Sequence, residues 1–178
     1  DRNTCILFGD GASAMVLSEV ETGYGIKSFH MAADGSGEQA LLVPAGGSRK
    51  PASNETVENK EHFLKMNGKE VFKFAVNVIP ETVSKTLEKV NMTLENVDLI
   101  VPHQANYRIV SSAAKKMNYP EDKFYMNLNK LGNTSGASIG LALDEALEKG
   151  MIKKGDNLIF VGFGAGLSYA SMLLTWAY

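Results

Sequence analysis

The chain has 178 residues, of which 18 are Lys or Arg and 20 are Asp or Glu, so its formal charge at neutral pH is −2. This near-neutral charge excludes a globally basic nucleic-acid binder. Hydrophobic residues make up 44% of the chain and charged residues 21%, which is typical of a globular core and excludes a disordered or collagen-like chain. The length suits one domain or slightly more.

The cysteine content indicates the cellular compartment, and the first residues indicate whether the chain is a fragment. A single cysteine can neither close an intrachain disulfide nor build a Cys-rich zinc site, so we expect a reducing compartment, by default the cytoplasm. No apolar run approaches the roughly 20 residues that a membrane span needs. Residues 1–4 (Asp-Arg-Asn-Thr) resemble neither a start nor a signal peptide, so we expect the chain to be a fragment.

In the first third of the chain, short apolar runs alternate with Gly-containing turns. Residues 5–8 and 14–17 predict two strands joined by an Asp-Gly turn, and residues 26–31 predict a third. Residues 34–61 are rich in Gly, Ser and Pro, which interrupts any regular element. So long an insertion in a compact domain usually covers a site or extends into solvent.

From Asn67 onward, apolar residues recur with helical period and predict a helix to about Val90, in which Pro80 should introduce a kink or a restart. The following elements are then predicted in chain order: strand 98–101, helix 105–117, short strand 123–126, helix 135–149 ending at Gly150, and strands 158–161 and 169–176. This alternation predicts an α/β fold.

Two polar motifs lie where a predicted strand leads into a helix. Residues 102–106 (Pro-His-Gln-Ala-Asn) place His103 there, a position where α/β sheets usually bind ligands, although a His can equally support the turn. Residues 132–136 (Gly-Asn-Thr-Ser-Gly) place the uncharged amide of Asn133 before the next helix, with Thr134 or Ser135 expected as its cap. By itself this second motif is more typical of a capped turn than of a site.

Residues 162–166 (Gly-Phe-Gly-Ala-Gly) form a third motif. A dinucleotide-binding loop needs a helix next, whereas residues 167–174 alternate like a strand, so the sequence disfavours a Rossmann site. A tight Gly-rich bend between strands can aim a backbone N–H at a ligand oxygen, as an oxyanion donor must be aimed. A plain hairpin with close backbone packing explains it equally.

Three isolated side chains have no partner pattern in the sequence. Cys5 lies in an apolar run without a basic neighbour, so we expect a buried structural thiol rather than a nucleophile. We expect His30 and His62 to be structural or surface residues.

Basic side chains cluster on two predicted helices. Arg108 and Lys115 share one face with Ser112 between them, and Lys69 and Lys73 lie one turn apart on the preceding helix. In a near-neutral chain these residues would form a local positive patch. A solvated helix face explains them by default, unless an acidic partner is implied on other grounds.

Taken together, the motifs at 102–108, 132–135 and 162–166 resemble the C-terminal half of β-ketoacyl-acyl-carrier-protein synthase III, a family of the thiolase superfamily. Residues 8–12 (Phe-Gly-Asp-Gly-Ala) and 66–72 (Met-Asn-Gly-Lys-Glu-Val-Phe) resemble two further family segments. The resemblance runs essentially from end to end, and its three site motifs are specific as a set.

The resemblance implies an α/β, thiolase-like layered α/β/α fold. Residues 67–178 would form the C-terminal βαβαβαββ half. Residues 1–66 would supply the last strands of the N-terminal half together with a Gly/Pro-rich insertion.

The resemblance also implies an acyltransferase that initiates bacterial type II fatty acid synthesis. In this family a Cys–His–Asn triad condenses acetyl-CoA, or a short acyl-CoA, with malonyl-acyl-carrier protein to 3-oxoacyl-acyl-carrier protein. By motif match, His103 and Asn133 are the triad His and Asn. Two uncharged donors at the thioester oxygen would stabilise the negative charge that decarboxylation builds there. No metal and no cofactor beyond the CoA substrate is implied.

Further roles follow from the same resemblance. The backbone of Gly164 and Ala165 matches the oxyanion loop. Contacts with the carrier protein or with CoA are implied for Gln104, Ala105, Asn106, Tyr107, Arg108, Met66, Gly68, Phe72, Lys73 and Lys115. An acidic carrier protein thereby becomes a partner for the basic residues, Lys69 included.

The nucleophilic Cys of the family lies in the N-terminal half, which this chain lacks, and Cys5 does not stand in that motif. We therefore expect that the chain cannot form the acyl-enzyme alone and needs its own N-terminal half as a partner. The family is typically a cytoplasmic homodimer, which the resemblance implies here.

Two alternatives stay open. A type III polyketide-synthase-like condensing enzyme uses a similar Cys, His and Asn but extends a CoA-bound starter with malonyl-CoA, whereas residues 104–108 and the paired lysines favour dependence on a carrier protein. A non-catalytic module that binds acyl groups or carrier protein would keep its affinity without Asn133, whereas a synthase would lose turnover. Thiolases proper and hydroxymethylglutaryl-CoA synthases fit the motifs less well. The starter acyl group stays undetermined.

Overall fold

The computed structural model describes residues 4–178. The strands in this range are β1 (Gly25–Ala33), β2 (Leu41–Leu42), β3 (Lys65–Met66), β4 (Leu99–Pro102), β5 (Asn157–Gly164) and β6 (Ser168–Thr175). The α-helices are α1 (Asn54–Glu58), α2 (Gly68–Glu88), α3 (Tyr107–Met117), α4 (Leu128–Leu131) and α5 (Ser138–Glu148). Short 3-10 turns occupy Gly35–Ala40, Leu94–Asn96, Glu121–Lys123, Ser135–Ala137 and Ala165–Leu167. None of these helices is both long enough and apolar enough to cross a bilayer.

Four strands form one mixed sheet in the order β1-β6-β5-β4, and β2 pairs with β3 separately. β4 and β5 are parallel, whereas β6 is antiparallel to both of its neighbours. β1 pairs with β6 from Gly25 opposite Thr175 to Ala33 opposite Ser168. The main sheet therefore takes strands from both of the segments that the sequence suggested, 1–66 and 67–178.

Helices cover both faces of the sheet, which confirms the predicted α/β class. On one face α2 and α3 pack over Ile100 and Ile159, and on the other α5 packs over Leu99 and Leu158. Neighbouring strand residues point to opposite faces, so β4 and β5, which are covered on both faces, consist almost entirely of apolar residues.

The helix α2 runs for 21 residues without interruption, so the restart predicted as one outcome at Pro80 is wrong. Its start is fixed by Asn67, whose side-chain oxygen accepts the N–H of Glu70. A proline inside a helix removes one backbone hydrogen bond. Burial of the α2 face against the sheet offsets that loss, and the buried residues are Ala75, Val78, Ile79, Thr82, Val83, Thr86 and Leu87.

The two strands predicted at residues 5–8 and 14–17 are also wrong. Residues 4–7 form a turn, Phe8 makes one isolated parallel bridge to Asn133, and residues 14–17 are exposed outside any strand. Cys5 is exposed, which overturns the expected buried thiol. Apolar runs predict strands only where neighbouring strands can take up their hydrogen bonds, and residues 4–178 offer this stretch only one bridge.

Several predicted boundaries shift for local reasons. The short strand predicted at 123–126 is a 3-10 turn followed by an isolated bridge between Phe124 and Ile100. α3 begins two residues late because the side chain of Asn106 caps it, accepting the N–H of Arg108 at 2.8 Å. α5 follows a 3-10 turn and has no side-chain cap, so the capping role expected of Thr134 or Ser135 is wrong.

Candidate active site

A cavity of about 980 Å³ opens at the ends of β4 and β5, next to the starts of α2, α3 and α5. It brings together many of the predicted site residues, namely Met66, Gly68, Phe72, His103, Ala105, Asn106, Asn133, Gly164 and Ala165. These residues come from four separate stretches of the chain. The fold therefore assembles at one place the motifs that the sequence shows only one by one.

His103 directly follows β4 and is fixed on both sides. Its backbone N–H donates to the carbonyl of Val161 in β5 at 2.7 Å, and its Nδ1 lies 2.6 Å from Oγ of Ser138. The ring of Phe163 contacts the imidazole edge-to-face with centroids 5.4 Å apart. Burial lowers the pKa of His103 from 6.5 to about 4, because the charged form would lose its hydration. The imidazole is therefore neutral near pH 7.

Asn133 is buried, and its backbone is hydrogen-bonded to residues 7–9. Its N–H donates to the carbonyl of Leu7 at 3.0 Å, and its carbonyl accepts the N–H of Gly9 at 2.9 Å. The side-chain oxygen accepts the N–H of Ser135 at 2.9 Å. Within residues 4–178 the amide nitrogen Nδ2 has no hydrogen-bond partner. Because the oxygen is anchored and the residue lines the cavity, Nδ2 can donate to a bound molecule.

Two glycines let the Asn133 segment reach this position. Gly132 has φ +69° and ψ −166°, a backbone conformation that is essentially restricted to glycine. Gly9 lies against α4 so closely that an added Cβ would stand 2.0 Å from the carbonyl oxygen of Leu131. Glycine at both positions therefore makes the approach of residues 7–9 to Asn133 possible.

Replacing Gly9 with Ala should displace Asn133, because the added carbon meets backbone rather than a flexible side chain. We expect a loss of about 1–3 kcal/mol in the free energy of unfolding, measured by denaturant titration of the full-length protein. Gly47→Ala is the matched control, because an added Cβ there meets nothing within 4 Å. Equal stability of the two variants would contradict the prediction.

The Gly-rich bend at residues 162–166 is supported by a segment outside the main sheet. Leu167 exchanges two backbone hydrogen bonds with Asp34, of 2.8 and 3.0 Å. Gly37 lies against the Leu167 side chain, where an added Cβ would approach to 2.5 Å. The 3-10 turn at Gly35–Ala40 thereby supports the bend whose residues Gly164 and Ala165 line the cavity.

The charged residues predicted to meet a partner lie outside the cavity. Lys73, Arg108 and Lys115 are exposed, as is Lys69. The exposed Tyr107 donates its hydroxyl to the carboxylate of Glu121. These side chains lie on α2 and α3, whose first turns border the cavity mouth.

Gln104 has a different position from the rest of its motif. It is only 1% exposed, and its amide nitrogen donates to the carbonyls of Pro102 and Tyr125 at 2.8 and 3.0 Å. Its oxygen accepts the N–H of Asn127 at 2.9 Å. The side chain thus ties the His103 turn to residues 125–127, and it does not reach the surface where a partner would bind.

Other cavity residues were missed by sequence reasoning. The apolar wall includes Leu7, Phe8, Leu41, Leu64, Val71, Ile109 and Ile139. Ser138 reaches the ring of His103 from the first turn of α5. Only the helical spacing of Val71 and Ile139 could have indicated such apolar positions. Ser138 has no local signal, because its partner lies 35 residues away.

A layered α/β fold whose cavity is lined by a neutral His and by an amide nitrogen without a partner in residues 4–178 is typical of a thiolase-like protein, and comparison with known proteins makes the class specific. The family model for the C-terminal part of 3-oxoacyl-[acyl-carrier-protein] synthase III matches residues 87–176, and a second model of the same synthase matches residues 1–35. The chain therefore belongs to the 3-oxoacyl-acyl-carrier-protein synthase III family.

Similar proteins support this assignment. A β-ketoacyl-acyl-carrier-protein synthase III of Fusobacterium nucleatum is 53% identical over 178 residues, covering 100% of this chain and 54% of the relative. That of Caldanaerobacter subterraneus is 54% identical over 177 residues, covering 99% and 54%. The crystal structure of the Aquifex aeolicus synthase superposes with a TM-score of 0.86 at 40% identity, covering 99% of this chain and 52% of that one. The chain thus spans about half the length of the relatives it matches.

Proposed function

We propose that this chain is the malonyl-decarboxylating part of an initiating condensing enzyme. The whole protein would condense acetyl-CoA, or a short acyl-CoA, with malonyl-acyl-carrier protein to 3-oxoacyl-acyl-carrier protein, without a further cofactor. The observation that carries the proposal is the convergence on one cavity of His103 and Asn133, whose Nδ2 has no hydrogen-bond partner within residues 4–178. The family membership and the named relatives support it.

The chemistry needs hydrogen-bond donors at the thioester oxygen of the malonyl group. When the bond to the carboxylate breaks, CO₂ leaves and the electron pair passes into an enolate whose negative charge rests on that oxygen. His103 and Asn133 would both donate to it, and neither adds a charge that must be desolvated. The enolate carbon then attacks the acyl thioester on the nucleophilic Cys, and the Cys thiolate leaves.

An exposed apolar surface supports a partner that supplies this Cys. Phe29 and Met31 in β1 are 55% and 71% exposed. They point away from α2, because the alternating residues Ser28 and His30 face that helix: Ser28 donates its hydroxyl to the carbonyl of Thr86, and Nδ1 of His30 lies 3.1 Å from Oγ1 of Thr82. We propose that the N-terminal half with the nucleophilic Cys covers this surface, in a cytoplasmic homodimer.

The full-length protein and this isolated chain should differ after incubation with acetyl-CoA. In intact-mass spectra we expect one acetyl group on the full-length protein, bound to a Cys outside this chain. The isolated chain, whose one thiol is Cys5, should stay unmodified. Acetylation of Cys5 would overturn the proposal, as would a full-length protein that gains no acetyl group.

Docking of an acidic carrier protein should depend on the exposed cations of α2 and α3. We expect Arg108→Glu to raise the KM for malonyl-carrier protein about tenfold, because steering and rim contacts are electrostatic. The rate of acetylation by acetyl-CoA should stay unchanged. Lys153→Glu is the matched control, since this exposed residue lies beyond the far end of α5.

The dependence of KM on ionic strength provides a second test of carrier-protein docking. The KM of the wild-type protein should rise with ionic strength, and that of Arg108→Glu should rise less steeply. Efficient turnover with malonyl-CoA and no dependence on the carrier protein would instead favour a polyketide-synthase-like enzyme.

A further inference from the structure

Ser138 contacts the catalytic imidazole through Nδ1 of the ring. It is the first residue of α5 and only 1% exposed. Its Oγ lies 2.6 Å from Nδ1 of His103 and 3.3 Å from the backbone nitrogen of Gln104. One hydroxyl therefore contacts both the ring and the turn that carries it.

The protons of this arrangement can be assigned from the chemistry of the groups. The N–H of Gln104 can only donate, so Oγ of Ser138 accepts there. Within the described chain the hydroxyl has one further partner, Nδ1 of His103. If Nδ1 donated as well, the hydroxyl proton would be buried with no acceptor, which is costly. Both groups are satisfied when Ser138 donates to an unprotonated Nδ1.

We propose that Ser138 is a positioning residue that fixes His103 in the tautomer protonated at Nε2. The ring then carries an N–H rather than a lone pair at Nε2, in the cavity that Asn133 also lines. In the other tautomer Nε2 would present a lone pair, which repels a developing oxyanion. The tautomer therefore decides whether the neutral ring helps or opposes decarboxylation. The value of this for catalysis rests on the proposed function, but the tautomer itself does not.

The direct test is nitrogen NMR of the full-length protein labelled with ¹⁵N-histidine, with His103→Gln used to assign the ring. We expect a pyridine-type Nδ1 and a pyrrole-type Nε2 in the wild-type protein at neutral pH. In Ser138→Ala, Nδ1 should gain proton occupancy, whereas Ser138→Thr, which keeps the hydroxyl, should restore the wild-type pattern. A protonated Nδ1 in the wild-type protein would overturn the proposal, even if Ser138→Ala failed to fold.

Kinetic measurements distinguish a positioning role of Ser138 from a purely structural one. We expect Ser138→Ala to lower kcat for malonyl-carrier decarboxylation about 10- to 100-fold, with little change in KM, and Ser138→Thr to recover most of it. An unchanged tautomer in Ser138→Ala would overturn the proposal whatever its kcat. If the wild-type protein shows the Nε2–H tautomer but does not decarboxylate malonyl-carrier protein, the proposed function fails and the assignment of Ser138 stands.

Discussion

Asn133→Ala should lower the rate of malonyl-carrier decarboxylation by about 10²- to 10³-fold in the full-length protein, because one preorganised donor to the thioester oxygen is lost. Acetylation of the nucleophilic Cys by acetyl-CoA should change little, since in the proposed mechanism that step would use the backbone bend at 164–165 rather than the amide. The two steps are measured separately, by release of CO₂ and by intact mass.

Two further variants make this prediction sharp. Asn133→Asp keeps the shape and the acceptor for the N–H of Ser135, but its carboxylate would repel the developing oxyanion, so we expect at least as large a loss. Asn129→Ala removes an exposed amide four residues away and should leave the rate unchanged. If Asn133→Ala decarboxylated at the wild-type rate, this residue would have no catalytic part. A wild-type protein that bound malonyl-carrier protein without turnover would instead be a binding module.

The sequence predicted correctly what local patterns determine. His103 directly follows β4, as expected, whereas Asn133 follows α4 rather than the strand expected at 123–126, and both residues line one cavity. The spacing of apolar residues likewise predicted α2, α3 and α5 to within three residues at each end. α2 stays helical through Pro80, because burial of its apolar face stabilises the helix by more than the loss of one backbone hydrogen bond costs.

The sequence could not predict what depends on distant neighbours. The apolar run at 5–8 has strand composition, yet its hydrogen bonds go to Asn133 and not to a strand. Gln104 stands inside a motif implied to contact a partner, but the segment 125–127 behind it takes up its amide. Both outcomes follow from pairings more than 20 residues apart, which no local pattern encodes.

The free energy of unfolding should fall in acid because of His103. Its pKa is 6.5 when exposed and about 4 in the folded protein, where burial disfavours the charged ring. Between these values the unfolded chain binds a proton that the folded protein does not, so stability drops as pH falls. The loss attributable to this ring is about 3 kcal/mol, complete near pH 4 and absent above pH 6.5.

Comparison with His103→Gln isolates this contribution. Denaturant titrations of both full-length proteins between pH 7.5 and about 4 should show the wild-type protein losing about 3 kcal/mol more than the variant. His30, whose pKa is also lowered by burial and by the nearby Lys85 and Lys89, is present in both proteins and cancels. If the free energies of unfolding of the two proteins fell in parallel with pH, the pKa of His103 would not be lowered by folding.

The same shift determines the pH dependence of catalysis. Because the ring must be neutral to donate without adding a buried charge, decarboxylation should keep its rate from pH 8 down to about pH 5 and fall only near pH 4. An exposed histidine in this role would halve the rate already at pH 6.5. The buried position of His103 beside Phe163 and Ser138 thus keeps the ring uncharged across the physiological range. A half-maximal rate near pH 6.5 would show that this environment does not persist in the working enzyme.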